Sequence, residues 1–101
     1  MLQKTPRQVL EQHVKPIICK YSADAELHCA RLNLSVIFLT QAIGSRSIGS
    51  ITDLDLEDFV GWLFENAEYG GKPICARRVN SHLENIRLLQ DFVAGPVAID
   101  A

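Results

Sequence analysis

The side chains able to do chemistry are few and widely spaced. The chain holds three cysteines (Cys19, Cys29, Cys75) and three histidines (His13, His28, His82). A structural zinc site takes its ligands in tight pairs such as Cys-x-x-Cys or His-x3-His, and no such pair occurs here. A nucleophile needs an oriented base within hydrogen-bond reach. Cys75 and His82 are seven residues apart, roughly 10 Å along a helix, which is too far to pair directly. Gly70-Gly71-Lys72 has neither the spacing of a phosphate loop nor a strand before it. Asp53, Asp55, Glu57 and Asp58 read as the solvated first turn of a helix, favoured by its dipole, ahead of a metal site. The expectation is no catalytic residue, no metal and no cofactor, with His82 engaged in packing.

What remains is a basic stretch at the start of the last helical segment. Lys72, Arg77 and Arg78 fall near a helix N-terminus, where free N–H groups and the dipole already attract phosphate. Asn80, Ser81 and His82 follow, short polar groups of the kind that reach base edges or sugar-phosphate oxygens. The plainer alternative is a solvated charged face. The net charge of −2 is unevenly spread. Residues 1–50 hold six Lys/Arg against three acids, residues 51–71 six acids and no Lys/Arg, and residues 72–87 four Lys/Arg against one acid. One helix therefore repels phosphate while others can approach it.

Size and composition set the frame. At 101 residues, 48% apolar and 22% charged, the chain reads as a single soluble domain, with a helical core over about 5–94 and a short tail at 95–101. No apolar run approaches the ~20 residues that cross a membrane. The N-terminus lacks the apolar stretch of a signal peptide, so a cytoplasmic location is expected. An odd cysteine count with wide gaps argues for reduced, mostly buried thiols.

Four helices are predicted, near 6–20, 23–43, 53–68 and 74–93, with no sheet. Thr5, Pro6 and Gln8 supply an N-cap, a first-turn proline and a capping box. Val9, Leu10, Val14, Ile17 and Ile18 form the first stripe, and Pro16 should kink or end that helix. The second helix begins after Ser22, runs through Leu27, Ala30, Leu34, Ile37 and Phe38, and closes at Gly44. Thr52 and Asp55 make an acidic capping box for the third, with Ile51 and Leu56 placed as a staple. Leu56, Phe59, Val60, Leu63 and Ala67 form its buried face, with Trp62 off to one side. The fourth helix carries Val79, Leu83, Ile86, Leu89 and Val93 on one stripe and stops at Gly95-Pro96. Arg77, Ser81 and Glu84 lie opposite that stripe, and Asn80 and Arg87 on one flank.

The second half resembles the N-terminal core-binding (SAM-like) domain of phage integrases and other tyrosine recombinases. Ile51-Thr52-Asp53-Leu54-Asp55-Leu56-Glu57-Asp58-Phe59, then Leu63, is similar to the family's I-T-x-x-D-L-x-x-F-x-x-x-L helix start. Val79-Asn80-Ser81-His82-Leu83-Glu84-Asn85-Ile86-Arg87-Leu88-Leu89, ending in Phe92, is similar to its later I-N-x-x-L-x-x-L-R helix. The resemblance spans roughly residues 5–94 and implies an all-α, compact four-helix SAM-like bundle that clamps duplex DNA at a recombination site. It nominates His28 and Arg31 from the second helix, Lys72 from the turn, and Arg77, Arg78, Asn80, Ser81 and Arg87 from the fourth. The family's catalytic domain normally follows. With only a short tail after Gly95, the chain reads as a fragment or stand-alone remnant without that domain. Trp62, Leu88 and Phe92 are the expected contact to a following catalytic domain or a protein partner, and the competing function is a small helical protein-interaction module.

Overall fold

The computed structural model describes residues 1–95, so the expected tail beyond Gly95 lies outside the described residues. The chain is all-α, a bundle of four helical rods. The first rod is composite: α1 (Pro6–Val9), a π-helical turn (Leu10–Val14) and α2 (Lys15–Tyr21). After it come α3 (Ala25–Ile43), a 3-10 turn (Ile48–Ser50), α4 (Asp53–Asn66) and α5 (Ala76–Ala94). Between α4 and α5 lies an antiparallel hairpin of two short strands, β1 (Glu68–Tyr69) and β2 (Lys72–Pro73), which corrects the expectation of no sheet.

Local chemistry explains most helix ends. The Thr5 hydroxyl accepts from the Gln8 N–H at 3.2 Å, and Gln8 Oε1 accepts from the Thr5 N–H at 2.9 Å, closing the expected box. The Thr52–Asp55 box closes in the same way. Pro16 neither ends nor breaks the first rod. The proline ring collides with the carbonyl four residues back, and the wider π turn just before it, where the Lys15 N–H reaches the Leu10 carbonyl, takes up that clash. Gly44 ends α3 as expected, at φ +85° and ψ 173°, a positive-φ geometry open to glycine. Gly70 and Gly71, with φ of +58° and +77°, form the two-residue turn that a tight hairpin requires. The hairpin takes up residues expected in helices, so α4 stops at Asn66 and α5 starts only at Ala76.

The core draws on every rod. Val9, Leu10, Val14 and Ile18 meet Leu32, Val36 and Leu39 of α3, Leu56, Phe59 and Leu63 of α4, and Val79, Ile86 and Leu89 of α5. Two expected stripes are corrected. In α3 the buried set is Leu32, Ser35, Val36 and Leu39, while Leu27 and Ala30 face solvent. That helix is apolar on several sides, so periodicity alone does not choose a face. In α5 the inward position falls to His82, and Leu83 is only partly buried. Ile17 of the first rod is exposed. The thiols are also less buried than expected, since Cys19 and Cys75 are exposed and Cys29 is intermediate.

The loop after α3 is fixed to the chain start. The Ile48 N–H donates to the Lys4 carbonyl at 2.7 Å and the Gly49 N–H to the Leu2 carbonyl at 2.9 Å. A Cβ on Gly49 would stand 2.9 Å from the Leu2 carbonyl oxygen, so only glycine permits this approach. Among the described residues no helix is long and apolar enough to cross a membrane.

Burial ranks the expected cost of truncation. Leu63→Ala, at a site with no exposed surface, should cost about 2–5 kcal/mol in a denaturant melt. Leu83→Ala should cost less because Leu83 is half-buried, and Leu88→Ala least because Leu88 is 41% exposed. A Leu88→Ala loss equal to that of Leu63→Ala would contradict this packing.

Candidate nucleic-acid interface

A buried polar cluster fixes α5 against α3. Ser35 Oγ and His82 Nδ1 are 2.7 Å apart, Asn85 Nδ2 donates to Ser35 Oγ at 2.9 Å, and the Ser35 hydroxyl donates to the Arg31 carbonyl at 3.1 Å. A hydroxyl has one proton. With that proton on the Arg31 carbonyl, His82 Nδ1 must be the N–H that donates to Ser35. The neutral ring then leaves Nε2 bare to accept from the Tyr69 hydroxyl at 3.2 Å. The Phe38 ring packs edge-on against His82, with centroids 5.2 Å apart. Ser35 has no exposed surface, so this pair acts as a clasp and offers no route for a substrate to its hydroxyl.

The cluster continues outward to a cationic surface. Tyr69 carries the Arg78 guanidinium over its ring at 4.1 Å, a cation–π geometry. Tyr69 is also the cross-strand partner of Lys72, so the two side chains share one face of the hairpin. Lys72, Arg77 and Arg78 are all exposed. Among the described residues the ion pairs are Lys15–Glu11 and Arg46–Asp55, so none of these three cations meets a carboxylate. Tyr69 was not singled out from the sequence. The signal for it is Tyr69-Gly70-Gly71-Lys72, a glycine pair flanked by two residues that a two-residue turn places side by side.

The other nominated residues do not all join this cluster. At about 100° per residue, Arg77 and Ser81 point outward and Arg78 turns toward α3, while Asn80 and Arg87 turn the opposite way. Arg87 lines a groove with Asp53, Leu56, Glu57, Val60 and Leu83, facing the acidic helix. The Ser81 hydroxyl donates back to the Arg77 carbonyl at 3.1 Å. His28 and Arg31 are exposed on α3. Phe38 and Ser35 both touch His82 and Ser35 also meets Asn85, so the part of α3 before Ser35 leads toward the C-terminal half of α5. Arg31 and His28 are thus carried away from Lys72 and Arg77. Of the expected partner surface, Trp62 packs on Phe38 with centroids 5.8 Å apart and Phe92 lies 6.3 Å from the His13 ring. Leu88 alone of the three is exposed.

The acids of α4 are partly occupied. Arg46 grips Asp55 through two hydrogen bonds of 3.0 and 3.1 Å and also donates to the Ser50 carbonyl at 2.9 Å. The Thr52 N–H and hydroxyl donate to the same Asp55 oxygen, at 2.8 and 3.0 Å. With Arg46 foremost and the Thr52 N–H next, these bonds hold the Asp55 carboxyl well below the usual carboxylate range, at about 2. Asp55 is therefore a structural fastener between the loop and α4.

No family model matches the sequence, and no curated protein or solved structure resembles it significantly.

Two pH dependences follow. Burial first, and the Arg78 charge second, push the His82 imidazole below its ordinary 6.5. The unfolded chain then binds that proton before the folded one does, so stability falls as the pH drops below 6.5. His82→Gln should flatten the slope between roughly pH 7 and 5. Asp55 acts lower. Its contribution is complete above the ordinary carboxylate value of 3.8 and is lost as the pH falls through about 2. Asp55→Asn should flatten the fall in melting temperature across that acid window. Unchanged slopes in these variants would contradict the assigned protonation states.

Proposed function

We propose that this domain binds duplex DNA through the cations Lys72, Arg77 and Arg78 at the Tyr69 hairpin and the start of α5, as a core-binding domain of the tyrosine-recombinase kind. The observation that carries the reading is that Arg78 and Lys72 flank Tyr69, Arg77 is exposed beside Arg78 in the chain, and all three lack carboxylate partners among the described residues. Free cations of this kind displace the counterions condensed on DNA. The net acidity of the chain does not oppose it, because residues 51–71 hold six acids and no Lys/Arg, and two of those acids, Asp53 and Glu57, line the groove with Arg87. Ser81, one turn after Arg77 on the outward side of the helix, is a further phosphate or sugar contact. His28 and Arg31 would reach the DNA only if it crossed the bundle toward α3. In this reading the protein works in the cytoplasm, and Leu88 is left for a following domain or protein partner.

A second reading has its own observation. Leu54 is 71% and Phe64 50% exposed on α4, two large apolar side chains on the acidic helix that a protein contact would cover.

Fluorescence anisotropy with a labelled duplex over a salt series separates the two. Few phosphate contacts imply weak, salt-sensitive binding, with Kd on the order of 10⁻⁴–10⁻⁶ M. Arg77→Ala with Arg78→Ala should weaken binding and reduce the log-salt slope by up to about 2. Asp53→Asn with Asp58→Asn should leave binding unchanged or slightly tighter. Equal affinity for the wild type and the double-arginine variant would reject this face, and no binding at low salt would favour the protein contact.

A further inference from the structure

The helical hairpin of α2 and α3 brings two thiols to the same level. Only residues 22–24 join the two helices, and they pack on each other, so the chain returns antiparallel. Cys19 lies two residues before the end of α2 and Cys29 four residues after the start of α3. Glu11, Lys15 and Cys19 are spaced by four and so share one face of the first rod. Glu11 and Lys15 of that row face Cys29 across the hairpin, and Cys19 stands one helical turn further along the same row. Cys29 in turn lines an open groove with Arg7, Glu11, Lys15, Glu26 and Asn33. The pair is thus reachable from solvent, with Cys19 exposed and Cys29 half-covered.

We propose that Cys19 and Cys29 are a reversible redox site, which peroxide converts into an intramolecular disulfide bridging α2 and α3. The exposed Cys19 thiolate attacks one peroxide oxygen, forming a sulfenic acid and releasing hydroxide. The Cys29 sulfur then attacks the sulfenic sulfur, and the hydroxyl leaves as water with the Cys29 proton. Across both steps two thiols and one hydrogen peroxide give one disulfide and two waters. Burial and the neighbouring Cys19 push the Cys29 thiol up, which suits it to the resolving step rather than to the first attack. The bridge ties the first turns of α3, including His28 and Arg31, to α2.

Cys75 is the competing thiol. It is exposed at the N-cap of α5, and the backbone N–H groups of Arg78 and then Arg77 draw it down from its ordinary value. The test therefore uses Cys75→Ser protein, treated with graded hydrogen peroxide and quenched by thiol alkylation. Trypsin cuts after Lys20, which lies between the two cysteines, and leaves them in separate peptides spanning residues 8–20 and 21–31. The expected product is those two peptides joined, with loss of two hydrogens and recovery of both free thiols by dithiothreitol. Cys19→Ser and Cys29→Ser should each abolish it. Two alkylatable thiols after treatment, over-oxidised Cys19 without a cross-link, or only intermolecular dimers would each overturn the proposal.

Discussion

The hydrogen bond between Ser35 and His82, 2.7 Å long and closed to water, sets the rotation of α5 about its own axis. Turning the helix by one position would leave a buried hydroxyl and an imidazole nitrogen without partners, at a cost of about 1–3 kcal/mol for each unsatisfied group. Asn85 and Tyr69 complete the network, so the rotation is held from both neighbouring turns and from the hairpin. The surface follows from that setting. Arg78 is delivered onto the Tyr69 ring, and Arg87 is sent into the acidic groove beside α4.

Charge is partitioned by the same geometry. The chain is acidic in sum, with five of its twelve acids on α4 and one of them, Asp55, engaged in structure. Asp55 closes the helix cap and holds Arg46, and through Arg46 it holds the loop that docks on the N-terminal residues. The cations beyond α4 have no such duties. The positive end of the α5 dipole, two arginines and a hairpin lysine then form one electropositive corner of a negative molecule.

The elements most legible from sequence are those written in local side-chain chemistry. The boxes at Thr5 and Thr52 and the stop at Gly95 depend on neighbours three or four residues away, and each appears where the spacing puts it. Features decided by distant partners were not legible. Two-residue strands are too short to show alternation, so the hairpin is announced only by Gly70-Gly71. The face of α3 is chosen by a serine that is buried because His82 and Asn85, 47 and 50 residues away, satisfy it. Likewise a histidine displaces Leu83 from the inward position because its two nitrogens find partners there. The nominated contacts were chosen by residue type and by the resemblance, from two helices and a turn, and the structure brings Lys72 and Arg78 together at Tyr69 while turning Arg87 and Asn80 to the other flank of α5.

The central claim is that this clasp leaves one cationic corner, and not the length of α5, to meet a polyanion. An NMR titration of isotopically labelled protein with a short duplex at low salt tests it most directly. The account predicts that the largest shifts fall on Tyr69, Lys72, Arg77 and Arg78, with Arg87 and the α4 acids little affected. Shifts centred on Arg87 and Asn80, or on Leu54 and Phe64, would contradict it.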